Sequence, residues 1–235
     1  MAKIYIIAGE ISGDFIGAKI IQNLKQLHSN IELLGIGGPQ MIETGLKTLF
    51  SISEINMMGF FEILPHIFRL KKRIIQTAQN ITSHSPDLLI TIDSPGFTYR
   101  VAKLAKTLNP KLKMVHIVAP SVWAYKPERA AKYAQIYDHL LALLPFEPPY
   151  FEQVGLSCTY IGHPIIQQHF YPDKKSLREE FTIEATTKVI SVTPGSRIGE
   201  ISRHMPVFRK ALDIISTNNK SGQKMRIKSL EQLIT

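Results

Sequence analysis

Ile4-Tyr5-Ile6-Ile7-Ala8-Gly9-Glu10-Ile11-Ser12-Gly13-Asp14 decides the fold class. Its first five residues are apolar on consecutive rather than alternate positions, the mark of a strand buried on both faces. A glycine turn then leads straight into a helical pattern over Phe15–His28, so the segment reads as the opening of a βα unit. The same alternation recurs outward from it. Strands are expected at Glu32–Ile36, Leu88–Asp93, Lys113–Val118, His139–Leu143 and Lys188–Val192, and Cys158 to Ile161 would close the first sheet. Helices are expected near Leu64–Ser83, Phe97–Leu108, Glu128–Ile136 and Glu200–Ile215. Helices on both faces of a parallel sheet are the stable solution for that order, so the fold class is α/β, doubly wound.

The chain has 235 residues, 44% of them hydrophobic, and no apolar run approaches the ~18–20 residues that span a bilayer. The N-terminal apolar run is too short for a signal-peptide core and predicts a protein kept in the cytoplasm. One cysteine, Cys158, excludes an internal disulfide and suits a reducing compartment. The net charge of +9 fits nucleic acid, anionic lipid, phosphorylated small molecules or a merely solvated surface. Nucleic acid is disfavoured because no zinc-ligand spacing, RNP-like pattern or helix-turn-helix signature accompanies the charge. A boundary is expected at Gly162-His163-Pro164, and after Ile215 the sequence loses its apolar pattern.

Each chemistry-bearing motif has two readings. In Gly9-Glu10-Ile11-Ser12-Gly13-Asp14, the glycines allow a tight turn and exposed helix N–H groups suit a phosphate, yet Ser12 or Asp14 also serves as a helix cap. The loop carries neither a P-loop nor a G-x-G-x-x-G pattern. Asp93 ends a buried strand, where open α/β sheets bind ligands, and reads as a general base or a turn residue before Pro95. Ser121 and Trp123 in a strand-exit loop line a pocket or pack that loop onto the core. Pro194-Gly195-Ser196-Arg197 with Glu200 suits a diphosphate, or is one more α/β turn. Met57, Met58, Phe60, Phe61, Leu64 and Phe68, followed by Lys71, Lys72 and Arg73, read as an interfacial helix or as a core helix. His116, His163 and His204 lack metal-ligand spacing and read as core or surface residues.

Taken in order these stretches are specific. Ala8-Gly9-Glu10-x-Ser12-Gly13-Asp14, Gly37-Gly38-Pro39-x-Met41, Met58-Gly59 and Ile92-Asp93-x-Pro95-x-Phe97 are followed by Pro120-Ser121-Val122-Trp123-Ala124, Leu144-Pro145-Phe146-Glu147, Ile161-Gly162-His163 and Pro194-Gly195-Ser196-Arg197-x-x-Glu200. That succession resembles the lipid-A-disaccharide synthases to about Ile215. The resemblance implies a GT-B fold of two Rossmann-like domains and an inverting transfer that needs no metal or cofactor. The substrates implied are UDP-2,3-diacylglucosamine and the monosaccharide 1-phosphate lipid X, at the inner face of the cytoplasmic membrane. It assigns Asp93 as catalytic base and places the Gly9–Asp14 loop, Ser121 and Trp123 in the acceptor-side cleft. Arg197 and Glu200 would face the nucleotide sugar, and Met57–Arg73 would face the membrane.

The domains implied are an acceptor-side unit over 1–163, the start of a donor domain over 164–215, and a poorly ordered tail over 216–235 unlike the family. The family chain continues well over a hundred residues further, so a homodimer or a separately encoded C-terminal half is an expected partner. The alternatives are a non-catalytic lipid-binding relative and a UDP-GlcNAc epimerase-like protein.

Overall fold

The structure, a computed structural model, describes residues 2–28, 30–56, 63–167, 178–195, 198–218 and 225–226. The chain divides into two compact units, Met1–Gln168 and His169–Thr235.

In the first unit β1 (Ala2–Ala8) feeds α1 (Ile11–Leu27), followed by β2 (Ile31–Ile36), α2 (Pro39–Glu43), β3 (Lys47–Thr48), α3 (Ser53–Asn56) and α4 (Ile63–His84). The chain continues through β4 (Leu88–Ile92), α5 (Thr98–Leu108), β5 (Lys113–Ile117), α6 (Arg129–Ala134), β6 (His139–Ala142), α7 (Pro148–Glu152) and β7 (Cys158–Tyr160). A 3-10 turn at Pro164–Gln167 follows. The strands form one sheet in the order β3-β2-β1-β4-β5-β6-β7, every pairing parallel. The chain first builds β2 and β3 on one side of β1, then returns to lay β4 on the other. The order of strands therefore reverses between β1 and β4.

Each face of the sheet buries its own apolar cluster. Ile4, Ile6 and Ala8 of β1, with Ile90 and Ile92 of β4, pack under Ile16 and Ile21 of α1 and Met41 of α2. Tyr5, Ile7 and Leu89 face the other way, toward Ile74 and Ile81 of α4, Val101 of α5 and Tyr133 of α6. This two-sided burial is what the unbroken apolar runs require. Cys158 is buried on β7, where burial first and then Glu152 and Glu147 push its thiol up to about 11. It is the small hydrophobe expected.

The second unit contains β8 (Lys188–Val189), α8 (Ile198–Asn218) and β9 (Met225–Arg226), with β8 and β9 parallel. The strand expected over Lys188–Val192 spans two residues, and β9 falls in a stretch whose composition predicted no strand.

Candidate active site

A parallel sheet puts the carboxyl ends of all its strands on one edge. Ligands in such folds bind where the strand order reverses, here between the exits of β1 and β4. Gly9 leaves β1 and Ser94 leaves β4, and the two loops touch: a Cβ on Gly9 would sit 2.5 Å from Ser94 Cβ. Only a residue without a side chain lets the loops approach this closely. Gly13, one turn into α1, lies against the sheet, since its Cβ would meet Ala8 Cβ at 3.3 Å.

Asp93 and Ser94 both adopt φ +48°, a left-handed conformation that costs a non-glycine residue roughly 1–2 kcal/mol. The turn is held from three sides. Asp93 N–H donates to Ile117 O at 3.0 Å, Thr98 Oγ1 donates to Asp93 O, and Phe97 N–H donates to Ser94 O at 3.0 Å. A half-buried carboxylate is thus fixed on strained backbone at the switch point, an arrangement associated with functional sites.

Beside this turn, on the α5–α6 face, lies a polar cluster that sequence reasoning did not assemble. Thr91 Oγ1 lies 2.7 Å from His116 Nδ1 and 3.0 Å from Tyr137 Oη. Burial drives the His116 pKa down to about 3, opposed by a hydrogen bond to the Val118 backbone and assisted by the Arg129 charge. Tyr133 stacks on Tyr99 at 5.1 Å and meets His116 edge-on at 5.1 Å. Burial pushes its hydroxyl up to about 12, with Arg129 opposing and the charges of Tyr99 and Asp93 adding to the rise. His116 belongs to the core, one of the two readings its sequence allowed. Arg129 and Tyr133 sit in no motif, and only the fold brings them against His116.

The remaining candidates of the first loop separate. Asp14 is 2% exposed, and its carboxylate accepts N–H bonds from Gly38 (2.8 Å), Gln40 (3.1 Å) and Met41 (3.0 Å). It caps α2 from a distant helix, whereas the sequence suggested a substrate contact or a cap on its own helix. Gly38 is tied to this arrangement, because its Cβ would meet Asp14 Oδ2 at 2.6 Å. Glu10 is half-buried at the start of α1, and Ser12 is exposed.

Ser121 is exposed and its carbonyl accepts Ala124 and Tyr125 N–H at 3.1 and 3.0 Å, closing a turn that presents Trp123. Trp123 is 45% exposed and packs edge-on against Phe146, 5.4 Å away in the loop after β6. These two half-exposed rings form an apolar wall on the same sheet edge. Phe146 was quoted only as part of a motif, and its pairing with Trp123 has no sequence signal.

On α4, Ile74, Ala78 and Ile81 face the core, whereas Phe68 is 73% exposed. Phe68, Ile75, Lys71, Lys72 and Gln79 line a surface groove of about 650 Å³. Arg73 lines the same groove and is also tied to the fold. Its guanidinium pairs with Glu54 and lies 4.5 Å over the Phe50 ring, which turns it back onto the fold. Ile67, on the same helix, is half exposed. Met57, Met58, Phe60 and Phe61 lie outside the described residues, and of Leu64 only the backbone is described. Among the described residues no helix is long and apolar enough to cross a membrane.

In the second unit Gly195, at φ +132°, turns the chain toward α8, and its Cβ would meet Glu200 Cβ at 2.8 Å. His204 Nδ1 lies 2.7 Å from Pro194 O, so this turn is braced by the helix it precedes. Arg197 lies outside the described residues. No group of three or more His, Cys, Asp or Glu is placed to hold a metal among the described residues.

Comparison with known proteins places these features in one family. The profile of the lipid-A-disaccharide synthetase family matches residues 4–232. The chain is 64% identical over 222 residues to a lipid-A-disaccharide synthase of Rickettsia felis, covering 93% of this chain and 57% of that one. Its identity to that of Rickettsia prowazekii is 58% over 222 residues, 94% of this chain and 58% of the relative. The chain thus spans a little over half the length of these relatives. The profile match runs past Ile215 to residue 232, while the pairwise matches cover 93% and 94% of the chain.

Among solved structures, a UDP-bound S. aureus MnaA superposes with a TM-score of 0.60 at 16% identity, over 100% of this chain and 64% of that one. A UDP-GlcNAc 2-epimerase from Neisseria meningitidis gives 0.59 at 14%, over 96% and 65%. A glycosyltransferase from Rickettsia africae gives 0.54 at 16%, over 97% and 67%. At these identities the likeness establishes the fold.

Proposed function

The chain belongs to the lipid-A-disaccharide synthase family, and on that premise we propose that its first unit is the acceptor-binding side of an inverting glycosyltransferase. The reaction condenses UDP-2,3-diacylglucosamine with lipid X and releases UDP. Asp93 takes the proton from the acceptor hydroxyl as that oxygen attacks the anomeric carbon of the donor, and UDP departs with the bonding pair. A positioned carboxylate of this kind contributes typically ~10²–10⁴-fold to a rate.

The observation that carries the reading is the approach of the Gly9 and Asp93–Ser94 loops at the reversal of strand order, which sets one carboxylate on strained backbone there. Glu10, Ser12 and the exposed faces of Trp123 and Phe146 would border the sugar. Arg197 and Glu200 are our assignment for the side facing the nucleotide sugar, Arg197 toward its diphosphate. A metal ion or organic cofactor is not required by this mechanism.

Incubation with both substrates, followed by ³¹P detection of UDP and of the disaccharide phosphate, tests the reading. Turnover by the chain, or by the chain carried to the length of its relatives, supports it. UDP-GlcNAc consumed without lipid X would instead indicate epimerase-like chemistry.

A second observation favours membrane attachment. Phe68 and Ile75 stand exposed beside Lys71 and Lys72 on α4, the combination that partitions a helix onto an anionic lipid surface. Substrates bearing acyl chains would be met there, at the inner leaflet, and the protein would be cytoplasmic and peripheral. This attachment would be shared by a non-catalytic lipid-binding relative, and the turnover assay separates the two.

A further inference from the structure

Among the described residues, the Tyr133 hydroxyl is the buried side-chain polar atom that makes no hydrogen bond of good geometry; the Arg129 guanidinium approaches it only as a loose donor. Buried hydroxyls in folded proteins almost always find a partner, because leaving one unmade forfeits the water that solvated it. The ring itself has every reason to be there: it stacks on Tyr99, meets His116 edge-on and lies 5.3 Å from Tyr137. Phenylalanine would keep those contacts and remove the uncompensated oxygen. Packing therefore explains the ring and not the hydroxyl.

The hydroxyl's surroundings narrow its use. Tyr133 is 2% exposed, so its oxygen does not reach a ligand directly. Charged neighbours acting on it are the Arg129 guanidinium and the Asp93 carboxylate. Both arrive by the fold's own geometry. Thr91 pairs with His116 across β4 and β5, Asp93 lies two residues past Thr91, and Tyr133 rests on the His116 ring. Arg129 begins α6, one helical turn before Tyr133, and is half-buried with no ion pair among the described residues. A phenol both accepts and donates, so a single hydroxyl can take an N–H from a guanidinium and give its O–H to a carboxylate. Hydrogen bonds of working sites are often long in the empty protein and tighten when substrate binds.

We propose that Tyr133 is a positioning residue for Asp93: its hydroxyl accepts from Arg129 and donates to the Asp93 carboxylate, linking the base to a half-buried cation. The hydroxyl fixes the rotamer of a side chain mounted on a strained turn, and the acceptor proton still goes to Asp93. This inference rests on the reading of Asp93 as the base.

The test compares wild type, Tyr133→Phe, Asp93→Asn and the double variant by thermal unfolding and by UDP release. Y133F is expected to unfold at or above the wild-type temperature, since it deletes an unsatisfied buried group. Its kcat is expected to fall about 10- to 30-fold with KM within about threefold, and to add no further loss on D93N, as residues acting as one unit do. With lipid X present, when the hydroxyl closes on Asp93, the unfolding temperatures of the four proteins are expected to depart from additivity by at least about 2 °C. A Y133F kcat within twofold of wild type, or an undiminished loss on the D93N background, overturns the proposal. Should no length of the chain turn over, additive unfolding temperatures overturn it equally. D93N with wild-type turnover is a different result, which removes Asp93 as base.

Discussion

Gly9 and Ser94 touch across the point where the sheet reverses its strand order, with no room between them for a methyl group. That contact joins the exits of β1 and β4 and sets where Asp93 stands. Gly9→Ala is therefore expected to destabilise the first unit by about 1–3 kcal/mol through overpacking. Adding Ser94→Gly should recover most of this loss, because glycine both clears the space and relaxes φ +48°. Urea unfolding of the two single variants and the double measures it, and equal stability of G9A and wild type would show that the loops are free to part.

Asp14 makes a separate prediction. A buried carboxylate receiving three backbone N–H bonds stabilises the turn from Gly38 to Met41. Asp14→Ala should cost about 2–4 kcal/mol in chemical denaturation, since three donors lose a charged acceptor. If Asp14 instead served only a substrate, D14A would unfold like wild type and lose binding alone.

His116 gives the fold a dependence on acid. Its ordinary pKa of 6.5 is lowered to about 3 by burial. Between those values the unfolded chain takes up a proton that the folded chain refuses, so stability is whole above pH 6.5 and declines as pH falls toward 3. His116→Gln should make the slope of stability against pH shallower in that window. Denaturant titrations at pH 7, 5.5 and 4.5 decide it; parallel slopes for the two proteins would contradict the assignment.

On α4 the two exposed lysines and Arg73 should behave differently. Basic side chains near an anionic surface contribute about 1 kcal/mol each. Lys71→Glu with Lys72→Glu is accordingly expected to weaken co-sedimentation with phosphatidylglycerol-containing vesicles about tenfold or more, leaving unfolding unchanged. Arg73→Gln should instead lower stability, because it breaks the pair with Glu54 and the stacking on Phe50. Vesicle binding that survives the double reversal would reject the interfacial face.

The α/β class, six of the strands in the first sheet and its main helices were legible because long two-sided burial writes unbroken apolar runs. The two residues of β3 were not, since a short edge strand has no periodicity to read. Strand ends are also where a parallel sheet gathers its ligands, so Asp93 and Gly9 could be picked out one at a time. What the chain order hides is side-chain partnership across elements. Asp14 looks like part of a phosphate loop until α2 is seen to sit on it. Arg73 looks like the end of a basic run until Glu54 and Phe50 fold against it. Arg129 and Tyr133 lie more than thirty residues from Asp93 and carry no pattern, so only the packing of α6 on His116 reveals them.

The central claim is that the carboxylate beside the Gly9–Ser94 contact performs the transfer, and the single-turnover rate of Asp93→Asn tests it most directly. With UDP-diacylglucosamine and lipid X saturating, and with unfolding unchanged, the rate of UDP formation should drop about 10²–10⁴-fold, as expected for loss of a general base. A D93N rate within a few-fold of wild type would contradict the account.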